Sequence, residues 1–186
     1  MIMNEVIKKL DTHILSLRPK LYEGLNQPLS TIEIENLEKK YNIKLPGDLI
    51  TLYKWKNGQA INNFDSFVNN SMFVSLEEAL DTATELTSMI GLDFEIENWW
   101  NAKWIPIFHN GSGDYICYDC GGIFTGQQGQ IIEFWHADND RNVIAPTLEA
   151  FISKLNHHYE TINADENKEP YHIGKIDGYP KRFIVE

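Results

Sequence analysis

From Trp104 to Trp135 the chain breaks into short β-rich runs separated by turn residues, and helical spacing lies on both sides of that stretch. The runs are Trp104 to Phe108, Tyr115 to Tyr118, Ile123-Phe124 and Ile131 to Trp135, with Gly111 to Asp114 and Gly126 to Gly129 as turns. Helices first, consecutive strands next and one helix last is the order of an α+β fold. It predicts a single domain with an antiparallel β-sheet of about four to six strands and helices packed mainly on one side.

The helices are marked by spacing and by their ends. Val6, Leu10, Ile14 and Leu17 fall on one face, and Arg18-Pro19 stops that helix because the residue before proline is pushed out of the α region. Ser30 with Glu33 forms a capping box, Leu29 and Ile34 a hydrophobic staple, and Ile34, Leu37 and Tyr41 share a face. Pro46 opens a helix carrying Leu49, Leu52 and Tyr53 that ends at Asn57-Gly58. Phe73-Val74 reads as a short strand; Ser75 and Glu78 then cap a helix reaching about Met89, closed by Gly91. The last helix follows Thr147 with Leu148, Phe151, Ile152, Leu155 and Tyr159 on one side. Residues 1–162 form the domain; 163–186 read as a C-terminal extension, either an ordered strap or a flexible tail.

Sixteen lysines and arginines stand against 27 carboxylates, a net charge of −11. Such a field repels phosphate backbones and anionic membrane surfaces and favours a cationic protein partner. No nucleic acid and no membrane is therefore expected among its partners; oligomeric state is not readable. The N-terminus has no secretory pattern and the two cysteines make no disulfide framework, so a cytoplasmic location is expected.

The order of the pieces resembles the SUKH superfamily, the Smi/Knr-type domain named for fungal cell-wall-assembly regulators. The likeness rests on Ile43-Lys44-Leu45-Pro46-Gly47-Asp48-Leu49 through Asn57-Gly58, on Trp104-Ile105-Pro106-Ile107, and on Gly113-Asp114-Tyr115-Ile116-Cys117-Tyr118-Asp119. It continues in Gly129-Gln130-Ile131 with Phe134 and His136, and in Ala145 with Leu148-Glu149-Ala150-Phe151. Cys120-Gly121-Gly122, Trp99-Trp100 and the tail after Asn163 match no family feature. The resemblance implies binding: bacterial members are commonly immunity proteins that neutralise a toxin, often a nuclease, and fungal members are regulatory scaffolds.

Catalytic and metal patterns are weak beside this. Cys117 and Cys120 lack the second ligand pair of a zinc site and precede a turn rather than a helix. Asp138, Asp140, Asn142 and Glu149 have calcium-loop spacing, but Val143 stands where glycine is needed, and a polar turn explains the same residues. Gly111-Ser112-Gly113 is too short to cradle phosphate. His157-His158 reads as a partly exposed pair on the last helix. His136 with Asp114 and Asp119 is the best set for a hydrolase, though no spacing brings them together. No cofactor, metal or catalytic residue is expected. The aromatics carry more weight, because adjacent Trp99 and Trp100 cannot both point inward from a strand. One of them, rimmed by Asp93, Glu95 and Glu97, predicts a binding anchor. Asp114, Tyr115, Asp119 and His136 complete the expected partner-binding set.

Overall fold

The structure, a computed structural model, describes residues 2–161 and 172–186. In chain order it contains α1 (Met3–Leu17), α2 (Pro19–Glu23), α3 (Thr31–Lys40), α4 (Gly47–Trp55), β1 (Met72–Phe73) and α5 (Leu76–Ser88). There follow β2 (Trp104–His109), β3 (Tyr115–Asp119), β4 (Gln130–Phe134), β5 (Asp140–Ala145), α6 (Leu148–Thr161) and β6 (Lys181–Ile184). The strands form one antiparallel sheet in the order β1-β2-β3-β4-β5-β6, so each pairs with its neighbours in sequence. This is the expected α+β fold.

Local chemistry sets the helix ends. The hydroxyl of Ser30 accepts from the Glu33 amide at 3.2 Å while the Glu33 carboxylate accepts from the Ser30 amide at 2.7 Å, a complete capping box. Ser75 accepts from the Glu78 amide at 3.4 Å at the start of α5. The proline that ends α1 also opens α2, a short helix that spacing alone does not predict. After α4, Gly58 takes a left-handed φ of 74°, and a Cβ there would lie 2.4 Å from the Ser75 nitrogen. Only glycine satisfies both demands.

The sheet has a core on each face. On one side Val6, Leu10 and Ile14 of α1, Leu49, Leu52 and Tyr53 of α4, and Phe151, Ile152 and Leu155 of α6 pack with Ile105, Ile107, Ile116, Tyr118 and Ile131. On the other, Trp100, Trp104, Cys117, Ile132, Phe134 and Val143 are buried together beneath Phe94, Trp99, Phe124, Tyr179 and Phe183. Strand β3 shows the period of two that divides them: Ile116 and Tyr118 enter the first core, Tyr115 and Cys117 the second. Helices therefore dominate one face, and the α5–β2 connection, the turn after β3 and β6 dominate the other.

Two expectations are corrected. Ile123-Phe124 is not a strand: the Asp119 carboxylate accepts from the amides of Gly121, Gly122 and Ile123, which turns the chain, and Phe124 has a positive φ of 72°. Residues from Asp140 onward are not a polar turn but β5, paired with β4 and β6. The tail contributes β6, a four-residue strand on the β5 edge, where Phe183 stacks on Phe124 at 4.8 Å between ring centres. The remainder of the tail up to Tyr171 lies outside the described residues.

Candidate functional site

Three connections meet at the end of the sheet where β3 begins and β4 finishes. Tyr115 is paired with Phe134, and Arg141 with Phe134 on the other side, so the turn before β3 and the link from β4 to β5 are neighbours. Asp114 joins them: its Oδ1 accepts from the His136 amide at 3.0 Å and lies 2.8 Å from the His136 ring Nδ1. Its Oδ2 accepts from the Asn110 side chain at 2.8 Å. Partial burial works to raise the Asp114 pKa, but the bonds from His136 and Asn110 outweigh it and hold the carboxyl below its ordinary value.

The third connection, between α5 and β2, is tied to the same end from inside. Arg141 is fully buried on β5, yet among the described residues no carboxylate faces its guanidinium at ion-pair distance. It donates instead to main-chain carbonyls: Trp99 through Nε at 3.1 Å and Nη2 at 2.7 Å, and Asp138 and Asp140 through Nη1 at 2.7 Å each. The planar group also lies over the rings of Trp99 and Phe134, 4.9 and 4.8 Å from their centres. Burial pushes its pKa down to about 10, which still leaves it charged at neutral pH.

The connection that Arg141 anchors carries Asp93, Glu95 and Glu97, all exposed. Asp93, Phe94, Glu95, Ile96 and Trp99 line a cavity of about 260 Å³ there. Leu92, Ile96 and Trp135 are exposed apolar side chains on these segments. The segments 89–102, 109–114 and 135–139 contain no lysine or arginine. Arg182 of β6, which binds Asp140 at 2.6 Å, stands at the border.

The structure thus brings Asp93, Glu95, Glu97, Trp99, Asp114, Tyr115 and His136 to one end of the sheet, with Trp99 and Tyr115 half-buried. Two expected members are interior. Trp100 is 2 % exposed, meets Trp104 and Phe134 edge-on, and donates from its indole to Thr87 Oγ1 at 3.2 Å. Asp119, with no exposure, closes the turn at the opposite end of β3 and also accepts from the Gln130 side chain at 2.8 Å. Neither side chain reaches the surface, and Asp119 does not join His136 and Asp114. Cys117 and Cys120 are free thiols whose pKa values burial raises, the second to about 11, so neither is poised as a thiolate. Among the described residues no cluster of three His, Cys, Asp or Glu side chains is placed to hold a metal ion. Nor is any helix there long and apolar enough to cross a membrane.

Arg141, Trp135 and Asp138 were not foreseen as parts of the site. A sequence signal for the site does exist. Between Asn57 and Asp140 lie thirteen of the 27 carboxylates and one of the 16 lysines and arginines, Lys103. The rest of the chain is close to neutral, so the whole acidic excess belongs to the segment that builds α5, the first four strands and their connections. Among curated proteins none matches the chain. The family model described as the SMI1 / KNR4 family (SUKH-1) matches residues 28–154, which span every element from α3 to β5 and the first half of α6, and the chain belongs to that family.

Proposed function

We propose that this chain is an immunity-type binding protein that neutralises a cationic toxin domain by covering it with the acidic end of the sheet. Family membership fits a binding domain in general. The observation that carries the finer reading is the coincidence of exposed carboxylates and exposed apolar side chains on segments that buried bonds hold in place. Asp93, Glu95, Glu97 and Asp138 are exposed on the same two connections as Leu92, Ile96 and Trp135, with no lysine or arginine on those segments.

Each part has a physical task. The carboxylates speed the encounter with a basic surface and reject acidic proteins. Trp99, Trp135 and Ile96 offer apolar area to a desolvated centre, around which the charges form the rim. The Asp114–His136 pair contributes an oriented polar contact beside them. A nuclease suits such a surface, since a site that holds phosphates is cationic. Blocking it needs an interface of about 800 Å² per partner, within reach of three adjoining connections.

Affinity capture of the tagged protein from its source lysate at low ionic strength, with mass spectrometry of what elutes, tests this. One stoichiometric basic toxin domain, released by salt, is expected. A set of acidic or housekeeping proteins, insensitive to salt, contradicts it and favours a regulatory scaffold.

A further inference from the structure

The loop between α4 and β1 leaves two apolar side chains in solvent, Ile61 at 97 % and Phe64 at 78 % exposure. Looseness does not account for them, because the loop is bonded from within. The Gln59 side chain donates to the carbonyls of Asn63 at 3.2 Å and Asp65 at 2.9 Å, while its oxygen accepts from the Phe73 amide at 2.7 Å. The Ala60 amide donates to the Gly24 carbonyl at 2.8 Å, and Arg18 donates to the Ser66 carbonyl at 2.6 Å. A braced loop that presents an aliphatic and an aromatic side chain is what a contact surface requires.

Behind these side chains lies a groove of about 510 Å³, bounded by Ala60, Phe64, Met72, Glu78 and Asn110. Ser66 lines it too, and its buried hydroxyl has no hydrogen-bond partner among the described residues. Asn110 connects the groove to the acidic site, since the side chain at its edge is the one that donates to Asp114. The loop and groove carry exposed Asp65 and Glu78, no lysine or arginine occurs from Asn57 to Ala102, and the nearby cation, Arg18, is turned onto the Ser66 carbonyl at 2.6 Å.

We propose that this groove, with Ile61 and Phe64 at its mouth, is a second contact area of the acidic binding face and receives an apolar side chain flanked by lysine or arginine on a cationic protein partner. Apolar burial holds that side chain, and the carboxylates select its basic neighbours. The assignment rests on the reading of the sheet end as the partner-binding face, and the two are separable by experiment.

Isotope-labelled protein is titrated with two short synthetic peptides, one of lysine and glycine, the other with leucine replacing some of the glycines, and backbone amide shifts are followed. Both peptides are expected to move the amides of Asp93 to Glu97 and of Asp114. Only the leucine peptide is expected to move Ala60 to Asp65 and Asn110. Phe64→Ser and Ile61→Ser, both at exposed positions, should each weaken the leucine peptide about tenfold and leave the lysine–glycine peptide unchanged. Shifts at Asp93 to Glu97 with none at the loop overturn the groove and keep the acidic face. Shifts at the loop alone do the reverse, and no shift at either place overturns both.

Discussion

Arg141 holds the main-chain carbonyl of Trp99 twice, through Nε at 3.1 Å and Nη2 at 2.7 Å. A buried side chain of β5 thereby fixes the connection that carries Asp93, Glu95 and Glu97. Its Nη1 also holds the carbonyls of Asp138 on the neighbouring connection and of Asp140 at the start of β5. The acidic surface is thus arranged around a buried cation.

Replacing Arg141 by methionine leaves these carbonyls without donors. The expected cost is about 3 kcal/mol of unfolding free energy, measured by denaturant titration. Lysine should rescue little, because an ammonium cannot serve the same carbonyls while lying flat on two rings. A loss below about 1 kcal/mol contradicts the anchoring role.

The adjacent tryptophans should separate. Trp100→Ala removes a buried ring and should cost about 3–5 kcal/mol. Trp99→Ala removes a half-buried ring over Arg141, at about 0.5–2 kcal/mol from the lost cation–π contact. Partner affinity of the folded protein should fall for Trp99→Ala and hold for Trp100→Phe.

Asp119→Asn tests the interior carboxylate. Asp119 accepts from three turn amides and from Gln130, and an amide offers a donor where one of these acceptors is needed. A destabilisation of about 1–3 kcal/mol is expected, with partner affinity of the folded fraction unchanged. A loss of affinity without a loss of stability would place Asp119 in the interface after all.

Asp114 provides the pH dependence. Its folded-state pKa lies below the ordinary 3.8, so its contribution is complete above that value and is lost as pH falls through the folded pKa. An NMR titration of its carboxyl carbon should show the depressed midpoint. His136→Ala removes the ring contact and leaves the opposing effect of burial, so the midpoint should rise. An unchanged midpoint in that variant removes His136 from the pair.

Much of the fold was legible, and the failures share a cause. The Ser30–Glu33 box and the strand run Tyr115 to Tyr118 between its turns speak through neighbours in sequence, and both appear as read. Strand β5 was missed because Asp140, Arg141 and Asn142 look like a turn, and only tertiary structure supplies carbonyls to bury an arginine. Ile123-Phe124 looks like a strand because nothing local reveals that Asp119 captures the intervening amides. At the site, Asp93, Glu95 and Glu97 were placed on the surface correctly, since unpaired carboxylates seldom go inside. The same rule misplaced Asp119, whose partners are main-chain amides from its own turn. Trp100 was exposed or buried on equal terms in sequence, and packing against Trp104 and Phe134 decided it.

Hydrogen exchange on the free protein and on its complex with the captured partner tests the central claim most directly. Protection on binding is expected in residues 90–99, 110–116 and 134–140, with the α1–α6 face unchanged. Protection confined to α1 and α6, with the acidic end exchanging as in the free protein, would contradict it.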